Sequence, residues 1–524
     1  MLSDFLITGL KCNRSIKVSI QIILVFLIVF TPMKGLIPIS VSAEELPYAD
    51  YIFCNGNIVT IDENNTIAEA IAVVGNTIVA IGSDEEILSS FGLEGTETYD
   101  LGGLTIMPGI IDGHTHMIAS TAWYGINTLV GAQEAALKYG YTGLTEKSFD
   151  FETDIFQAET NGDLRIRVNL FPIYNLAHLN SSGEPFIIEQ WYLTRDPILD
   201  AERKLRVPGI KIYADGYSGA RGFPAMSTPY PQDLMNMWGV TNPYGDLYFN
   251  QSELNAIVKK IQDRGFSCGF HSMGDRSTET VLNAIEFALG NETNDIHRHQ
   301  IEHNSFIRDD LVLKAQVLDT IHSVRGYFPT YYQEDYEAIY PPDWLEWNIK
   351  RYSLPNAGLH CYLESDFGWR ATNNYSISRT SNINPFLHLW GYVTRKAMFE
   401  NGTIVEPLPW LAQHQITVEQ ALRMLTYEGA YAVKQEEYLG SLEQDKLADI
   451  IIISDNPLTT DVDNLKDIEV LLTMVDGNIE YYINDTFLQQ YEGATGGISL
   501  QPLTMILLTI SMNVIVVIIR KKKK

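Results

Sequence analysis

The sequence reads IIDGHTH at residues 110–116, where an apolar run ends in two histidines. Side chains at positions i and i+2 of a strand point to the same face, so His114 and His116 can bind one cation together. A histidine pair with this spacing also arises by chance in many proteins. Its interpretation therefore depends on the residues that follow it along the chain.

The central region alternates short apolar runs with helical patterns. One helical pattern covers 252–264, with Ser252 as the predicted N-cap, and another covers 278–289. The acidic stretch 333–347 is predicted to be a loop over the barrel mouth. Eight runs are strand candidates, at 105–111, 141–146, 164–171, 209–213, 267–271, 299–303, 319–324 and 359–365. Eight strands that alternate with helices predict an α/β fold of the (β/α)8 TIM-barrel type.

Lys211 lies inside the apolar run GIKIY, residues 209–213. A buried ammonium is costly unless a neighbour neutralises it. One solution is carboxylation by carbon dioxide, which gives an anionic carbamate that can bridge two cations. The alternative is a structural lysine whose amine reaches water or pairs with a carboxylate such as Asp215. Both interpretations stay open at this point.

Three further polar residues end strand candidates: His271 the fifth, His303 the sixth and Asp366 the eighth. With the two histidines and Lys211, they occupy the carboxyl ends of candidates 1, 4, 5, 6 and 8. Barrel enzymes carry their active sites on that face. Nitrogen and oxygen donors without a thiolate favour zinc over manganese, iron or cobalt.

Five motifs occur in an order that resembles the amidohydrolase superfamily, and within it the branch of N-substituted formamide deformylase, amidohydrolase family 3. They are MPGIIDGHTH (107–116), VPGIKIYADG (207–216), HSMGDR (271–276), IEH (301–303) and GSL with KLAD (440–449). The resemblance covers about residues 47 to 483. It implies two divalent cations, most readily zinc. His114, His116 and Asp366 would hold the buried cation, Lys211 would be the bridging carbamate, and His271 and His303 would hold the more exposed cation.

The resemblance also implies a domain plan, which agrees with β-rich runs near both chain ends. A small β-sandwich domain would be built from the two ends and would flank the barrel. The predicted segments are a signal peptide (1–43), the first part of the β-sandwich (44–107), the TIM barrel (108–435), the second part of the β-sandwich (436–485), a linker (486–499), a transmembrane helix (500–519) and a basic cytoplasmic tail (520–524).

Two departures from the family pattern concern the substrate. The span between the HxH strand and the next strand is short, and Asp366 is preceded by Glu364-Ser365 instead of a glycine-serine pair. Four residues are candidates for contacts with the substrate or behind the metal ligands, with structural hydrogen bonding as the alternative: His178, Tyr213, Arg221 and Asp275. Among them, Asp275 is predicted to orient His271.

The two ends of the chain predict where the protein resides. An apolar run at 18–30 follows basic residues and precedes small residues at 41–43, which is typical of a secretory signal, with an uncleaved anchor as the alternative. Residues 503–519 are almost wholly apolar and 520–524 are basic. A buried C-terminal helix would show a polar face, so these residues favour a membrane span in contact with lipid. We expect a single-pass cell-membrane protein with an extracellular catalytic domain.

Composition excludes some classes of function. The formal net charge of −28 disfavours a nucleic-acid partner, because a phosphate backbone requires a basic face. The four cysteines have no CxxC spacing, which excludes a cysteine-rich zinc site, and we expect no disulfide framework.

The expected function is hydrolysis of a non-peptide carbon–nitrogen bond in an amide or N-acyl small molecule. A hydroxide that bridges the two cations would attack, and Asp366 would transfer the proton. One alternative is ester hydrolysis or ring deamination on the same site. Another is a non-catalytic surface binding protein that retains the fold.

Overall fold

The computed structural model describes residues 48–118, 128–147, 152–180, 182–188, 194–216, 222–367, 383–399, 401–484 and 487–491. Their strands, in chain order, are β1 (Tyr51–Cys54), β2 (Asn57–Val59), β3 (Ile67–Ala68), β4 (Ala70–Val74), β5 (Thr77–Gly82), β6 (Glu97–Asp100), β7 (Thr105–Pro108), β8 (Ile110–Thr115), β9 (Tyr141–Glu146), β10 (Arg167–Leu170), β11 (Asn175–Leu179), β12 (Pro185–Ile187), β13 (Leu205–Arg206), β14 (Gly209–Tyr213), β15 (Ser267–Ser272), β16 (Gln300–His303), β17 (Ile321–Val324), β18 (His360–Leu363), β19 (Ala397–Met398), β20 (Ile404–Val405), β21 (Ile450–Ile453), β22 (Val470–Val475) and β23 (Asn478–Tyr482).

The helices of the same residues separate and cover these strands. They are α1 (Asp84–Phe91), α2 (Leu129–Lys138), α3 (Glu152–Asn161), α4 (Gln232–Trp238), α5 (Gln251–Gln262), α6 (Asp275–Leu289), α7 (Asn294–His297), α8 (Asp309–Leu318), α9 (Phe328–Tyr331), α10 (Gln333–Ile339), α11 (Pro342–Lys350), α12 (Pro385–Thr394), α13 (Pro409–Ala412), α14 (Val418–Leu425), α15 (Tyr427–Ala432) and α16 (Phe487–Tyr491).

Eight parallel strands form the predicted barrel. One sheet runs β8-β9-β10 and continues to β13, and a second runs β14-β15-β16-β17-β18. Isolated parallel bridges close the ring between Ile173 and Lys211 and between His114 and Glu364. The seven strand candidates from 141–146 onward each contain a barrel strand, so the barrel prediction is confirmed for them.

The first strand candidate, 105–111, is wrong as a single strand. Its first half is β7, which belongs to the sheet built from the chain ends, and its second half opens β8 of the barrel. The chain crosses between the two at Gly109, where a Cβ would lie 2.2 Å from side-chain atoms of Thr142. Both halves are buried and apolar, so periodicity along the sequence cannot reveal the crossing.

Two sheets built from both chain ends pack against each other. One has the order β5-β4-β1-β6, and the other has the order β23-β22-β21-β7-β2-β3. Strand β21 pairs antiparallel with β7, with Ile450 opposite Pro108. Phe53 from the first sheet and Ile106 and Ile452 from the second share one buried apolar cluster. These contacts form the small β domain expected from the two β-rich ends.

Two local predictions need correction. Helix α5 begins at Gln251, and its N-cap is Asn250, whose side chain accepts a hydrogen bond from the Glu253 backbone N–H, instead of Ser252. The predicted loop 333–347 forms α10 and most of α11. Its acidic residues are exposed, while Tyr336 and Tyr340, four residues apart, stack with ring centroids 5.1 Å apart.

The terminal predictions fall mostly outside the described residues. The signal peptide (1–43), the transmembrane helix (500–519) and the tail (520–524) all lie there. Among the described residues, no helix combines the length and apolarity needed to cross a bilayer. Part of the predicted linker is wrong: 487–491 form α16, because Phe487 is buried in the apolar cluster of the β domain.

Arg167 on β10 joins the barrel to the β domain through a buried ion pair. Its guanidinium contacts Asp449 at 3.0 Å and Asp476 at 2.9 Å. Removing one partner of a buried pair leaves an uncompensated charge, so Arg167→Ala is expected to lower the free energy of unfolding by about 3–5 kcal/mol. Arg165→Ala is the matched control, because Arg165 pairs with Glu480 near the surface and should cost under about 1 kcal/mol. Equal urea midpoints for the two variants would contradict the prediction.

Candidate metal centre

The HxH motif brings its two imidazoles to one carboxylate. His114 is fully buried at the end of β8, and its ring centroid lies 5.3 Å from that of His116. Asp366 Oδ1 lies 3.2 Å from His116 Nε2 and 3.8 Å from His114 Nε2. One ligand atom from each of the three residues lies within 4.8 Å of the others. This spacing fits a single cation.

The second group of histidines adjoins the first. The His303 ring centroid, at the end of β16, lies 4.9 Å from that of His114 and 4.7 Å from that of His271. His271 Nε2 lies 3.9 Å from Asp215 Oδ1. The structure therefore brings all four predicted histidines and Asp366 to one end of the barrel.

Two of these residues have unusual backbone conformations. His303 has φ 71° and Asp366 has φ 47°, in the left-handed region that L-residues rarely adopt. Such a conformation costs of order 1–3 kcal/mol each and persists only where the surrounding structure enforces it. His303 ends β16 and Asp366 follows β18 by three residues, so both strained conformations occur at the carboxyl end of the barrel.

Lys211 is buried in β14, and its Nζ has no hydrogen-bond partner among the described residues. Burial lowers its pKa to about 8. Asp215, the alternative partner, accepts backbone hydrogen bonds from Ala225 (3.0 Å) and Gly274 (2.8 Å). A structural lysine of this kind would need a partner for its charge. Among the described residues, the structure therefore shows no hydrogen-bonded ion pair between Lys211 and Asp215.

Two carboxylates that the sequence did not single out stand behind the histidines. Glu302 Oε2 lies 2.7 Å from His114 Nδ1, and Glu364 Oε1 lies 2.7 Å from His303 Nδ1. A carboxylate on one ring nitrogen fixes the tautomer and leaves the other nitrogen to a metal. Glu364 also belongs to a second set of candidate ligands with His114 and His303, whose atoms lie within 4.8 Å.

Two positively charged side chains, those of Lys147 and Arg325, balance the charge of these carboxylates. Lys147, after β9, lies 3.0 Å from Glu302 Oε1. Burial alone would raise the pKa of Glu302, but Lys147, His114 and Lys211 hold it well below its ordinary value. Arg325, after β17, contacts both Glu364 and Asp366. A charged residue directly after an apolar strand was the signal that could have found Lys147 and Arg325.

The four candidates for supporting contacts have different surroundings. The Tyr213 ring lies 5.2 Å from that of His271. Asp275 accepts a hydrogen bond from the Ser227 backbone N–H at 2.8 Å and pairs with Arg308 at 2.5 Å, so it ties two loops together, and the carboxylate beside His271 is that of Asp215. His178 lies in β11, but its side chain is outside the described structure, as is the whole of Arg221.

The donor set is compatible with divalent cations. It consists of imidazole nitrogens and carboxylate oxygens, and the described cysteines are free thiols elsewhere in the fold. Burial lowers the pKa of His114 to about 3, so its ring is neutral at neutral pH, as a metal ligand must be. His114 Nε2 is buried without a hydrogen-bond partner among the described residues. A cation at this position would satisfy it.

Comparisons with known proteins show which family and fold this chain resembles. A profile of the amidohydrolase family matches residues 126–481, a span that contains Lys211, His271, His303 and Asp366. The N-substituted formamide deformylase of Arthrobacter pascens is 21% identical in an alignment covering 82% of this chain and 98% of that protein. The protein LONG AFTER FAR-RED 3 of Arabidopsis thaliana is 22% identical over 59% of this chain and 47% of its own length.

A solved structure has the same fold. The crystal structure of an uncharacterized metal-dependent hydrolase from Pyrococcus horikoshii OT3 superposes with a TM-score of 0.61 at 18% identity. The superposition covers 79% of this chain and 99% of that chain. Barrel and β domain together thus follow a known architecture.

Proposed function

Because the chain belongs to the amidohydrolase family, whose members are metal-dependent hydrolases of carbon–nitrogen bonds, we propose that it hydrolyses a non-peptide amide or N-acyl bond in a small molecule. The observation that carries the proposal is the convergence of His114, His116 and Asp366 at the carboxyl ends of barrel strands. Lys211, as a carbamate, would join them to a second cation held by His271 and His303. Zinc suits this set of nitrogen and oxygen donors best.

The residues of the site would have separate roles in the hydrolysis. His114, His116, Asp366, His271, His303 and a carboxylated Lys211 would hold two cations, whose chemistry would be to make hydroxide available at neutral pH and to polarise the scissile carbonyl. Asp366 Oδ1 faces both histidines of the HxH motif, where it can accept a proton and pass it to the leaving nitrogen. Glu302 and Glu364 hold the rings of His114 and His303 in the orientation that this requires.

The test is an activity and metal assay on the full-length protein. Metal content should approach two divalent ions per chain. A panel of formamides, N-acyl amines, esters and ring amines then separates the reaction classes. We expect turnover of formamides or N-acyl compounds, lost on chelation and restored by zinc. Turnover of esters or ring amines alone would replace the proposed reaction, and metal binding without any turnover would indicate a binding protein.

The state of Lys211 gives a pH dependence for loading the metal. Carbon dioxide adds to a neutral amine, and burial lowers the pKa of Lys211 to about 8. At fixed dissolved carbon dioxide, the rate at which zinc reactivates metal-free protein should rise about tenfold per pH unit and level off above about pH 8. With a lysine of ordinary pKa, the rate would keep rising to about pH 10.4. Reactivation rates measured from pH 6 to 10 test this. A rate independent of carbon dioxide would contradict the carbamate.

We also propose that the catalytic domain lies outside the cell, held by the C-terminal apolar segment at 500–519. The support is the signal-like start and the apolar end with its basic tail. Protease added to intact cells is expected to release an active soluble fragment cut after Tyr491, beyond α16. Protection of the domain until the cells are lysed would contradict this orientation.

A further inference from the structure

Arg325 links the two halves of the candidate metal centre. It follows β17 directly, and its Nε donates to Glu364 Oε1 at 2.6 Å. The same guanidinium donates from a terminal nitrogen to Asp366 Oδ2. Asp366 belongs with the HxH histidines and Glu364 with His303, so one side chain contacts a carboxylate from each half.

The oxygens of Asp366 have separate partners. Oδ2 accepts from Arg325, while Oδ1 faces His116 at 3.2 Å and His114 at 3.8 Å. Rotation of the carboxylate would break the contact with Arg325. The guanidinium therefore keeps Oδ1 directed to the histidines, the side on which Asp366 would meet both a cation and the transferred proton.

Glu364 is held in a comparable way. Its Oε1 accepts from both Arg325 Nε and His303 Nδ1, and its Oε2 accepts from the Ser323 hydroxyl. A planar guanidinium presents several donors in a fixed fork, which a lysine ammonium cannot reproduce. The Arg325 side chain is 16% exposed and lies 4.9 Å from the centroid of the Phe328 ring, so packing restrains the fork.

From these contacts we infer that Arg325 is a positioning residue that sets the orientation of Asp366 and, through Glu364, of His303. The inference rests on the proposed function, because it assigns Arg325 a role in metal binding and turnover. The described hydrogen bonds of Arg325 go to the two carboxylates of the metal centre. Its loss should therefore change kcat and the metal ligand field more than KM.

Cobalt binding by the full-length protein gives a readout that is separate from activity. Metal-free wild type, Arg325→Ala and Arg325→Lys are titrated with Co²⁺ while the visible absorption of the bound ion is recorded. Arg325→Ala is expected to bind Co²⁺ about 10–100-fold more weakly, with a shifted absorption spectrum, and to lose about 10–100-fold in kcat. KM should change less than about threefold, because uniform binding of the substrate is retained.

Three further measurements distinguish positioning from general damage. Arg325→Lys should fall between wild type and Arg325→Ala, because a point charge can satisfy only one of the two carboxylates. Methylguanidinium added to Arg325→Ala should restore part of the cobalt spectrum and of kcat. Arg203→Ala is the matched control: Arg203 pairs with Glu159 away from the metal centre, with Nε 3.0 Å from Glu159 Oε1, so both readouts should stay at wild-type values.

Two results would overturn the inference. An unchanged cobalt affinity and spectrum in folded Arg325→Ala or Arg325→Lys would make Arg325 structural. A raised KM with unchanged kcat and spectrum would make it a substrate contact. If wild type binds cobalt but hydrolyses none of the test compounds, the proposed function fails, while the cobalt titrations still test Arg325.

Discussion

Lys211→Ala is expected to leave the full-length protein with little bound metal and almost no hydrolysis. A carbamate contributes an anion to each cation, so its removal weakens both. Cations supply several kcal/mol of transition-state stabilisation, and each 1.36 kcal/mol corresponds to tenfold in rate. The loss of turnover should therefore reach at least about a thousandfold. Metal analysis and initial rates on the same preparation measure both effects.

Small acids should rescue this variant in a way that identifies the missing group. Acetate or formate can occupy the vacated position and restore part of the metal and the activity. Lys211→Arg should not respond, because a guanidinium stays protonated and fills the space with positive charge. Lys147→Ala is the control: Lys147 already donates to Gln300 at 2.6 Å and pairs with Glu302, so acids should not rescue it. Two bound ions and normal turnover in Lys211→Ala without acid would make Lys211 structural.

Simultaneous replacement of His114 and His116 by alanine should have the second largest effect. The cation that we propose these residues share with Asp366 would lose two of its ligands, and turnover should fall at least about a thousandfold for the same energetic reason. The metal content should drop by at least one ion per chain. Elemental analysis after gel filtration measures this.

The surface residue His297 provides the matched control for the histidine pair. It pairs with Glu292 at 2.8 Å and takes no part in the metal centre. His297→Ala should therefore keep its metal and its rate. Full metal content in the double variant would show that the cation is held elsewhere.

Most of the candidate ligand residues were predictable because they lie at or just after the ends of apolar strands. His271, His303 and Asp366 interrupt buried runs at the same end of successive barrel strands, so their convergence follows from the parallel order alone. Lys211 was recognisable because a charged side chain within an apolar strand is costly to bury. The backbone strain at His303 and Asp366, by contrast, is visible only in three dimensions.

The residues that support the ligands could not be predicted in the same way. Glu302 contacts His114, and Arg325 contacts both Glu364 and Asp366. These contacts depend on the register between strands that are distant in sequence. Asp275 was predicted to orient His271 because metal-bound imidazoles usually need such a partner, but at the start of α6 it pairs with Arg308. Helices α10 and α11 were predicted as a loop because the stretch is acidic. The four-residue spacing of Tyr336 and Tyr340, which is typical of a helix, was not taken into account.

The pairing of β7 with β21 has a consequence for biosynthesis. Pro108 lies opposite Ile450, so most of the barrel must be made before β7 meets its partner. At ordinary rates of translation that wait is roughly 20–70 s. During this time the apolar edge of β7 is open to pairing with other nascent chains. Ribosome-bound intermediates that end before Ile450 should therefore depend on holding chaperones, and stop codons upstream of β21 should give aggregates instead of shortened enzyme.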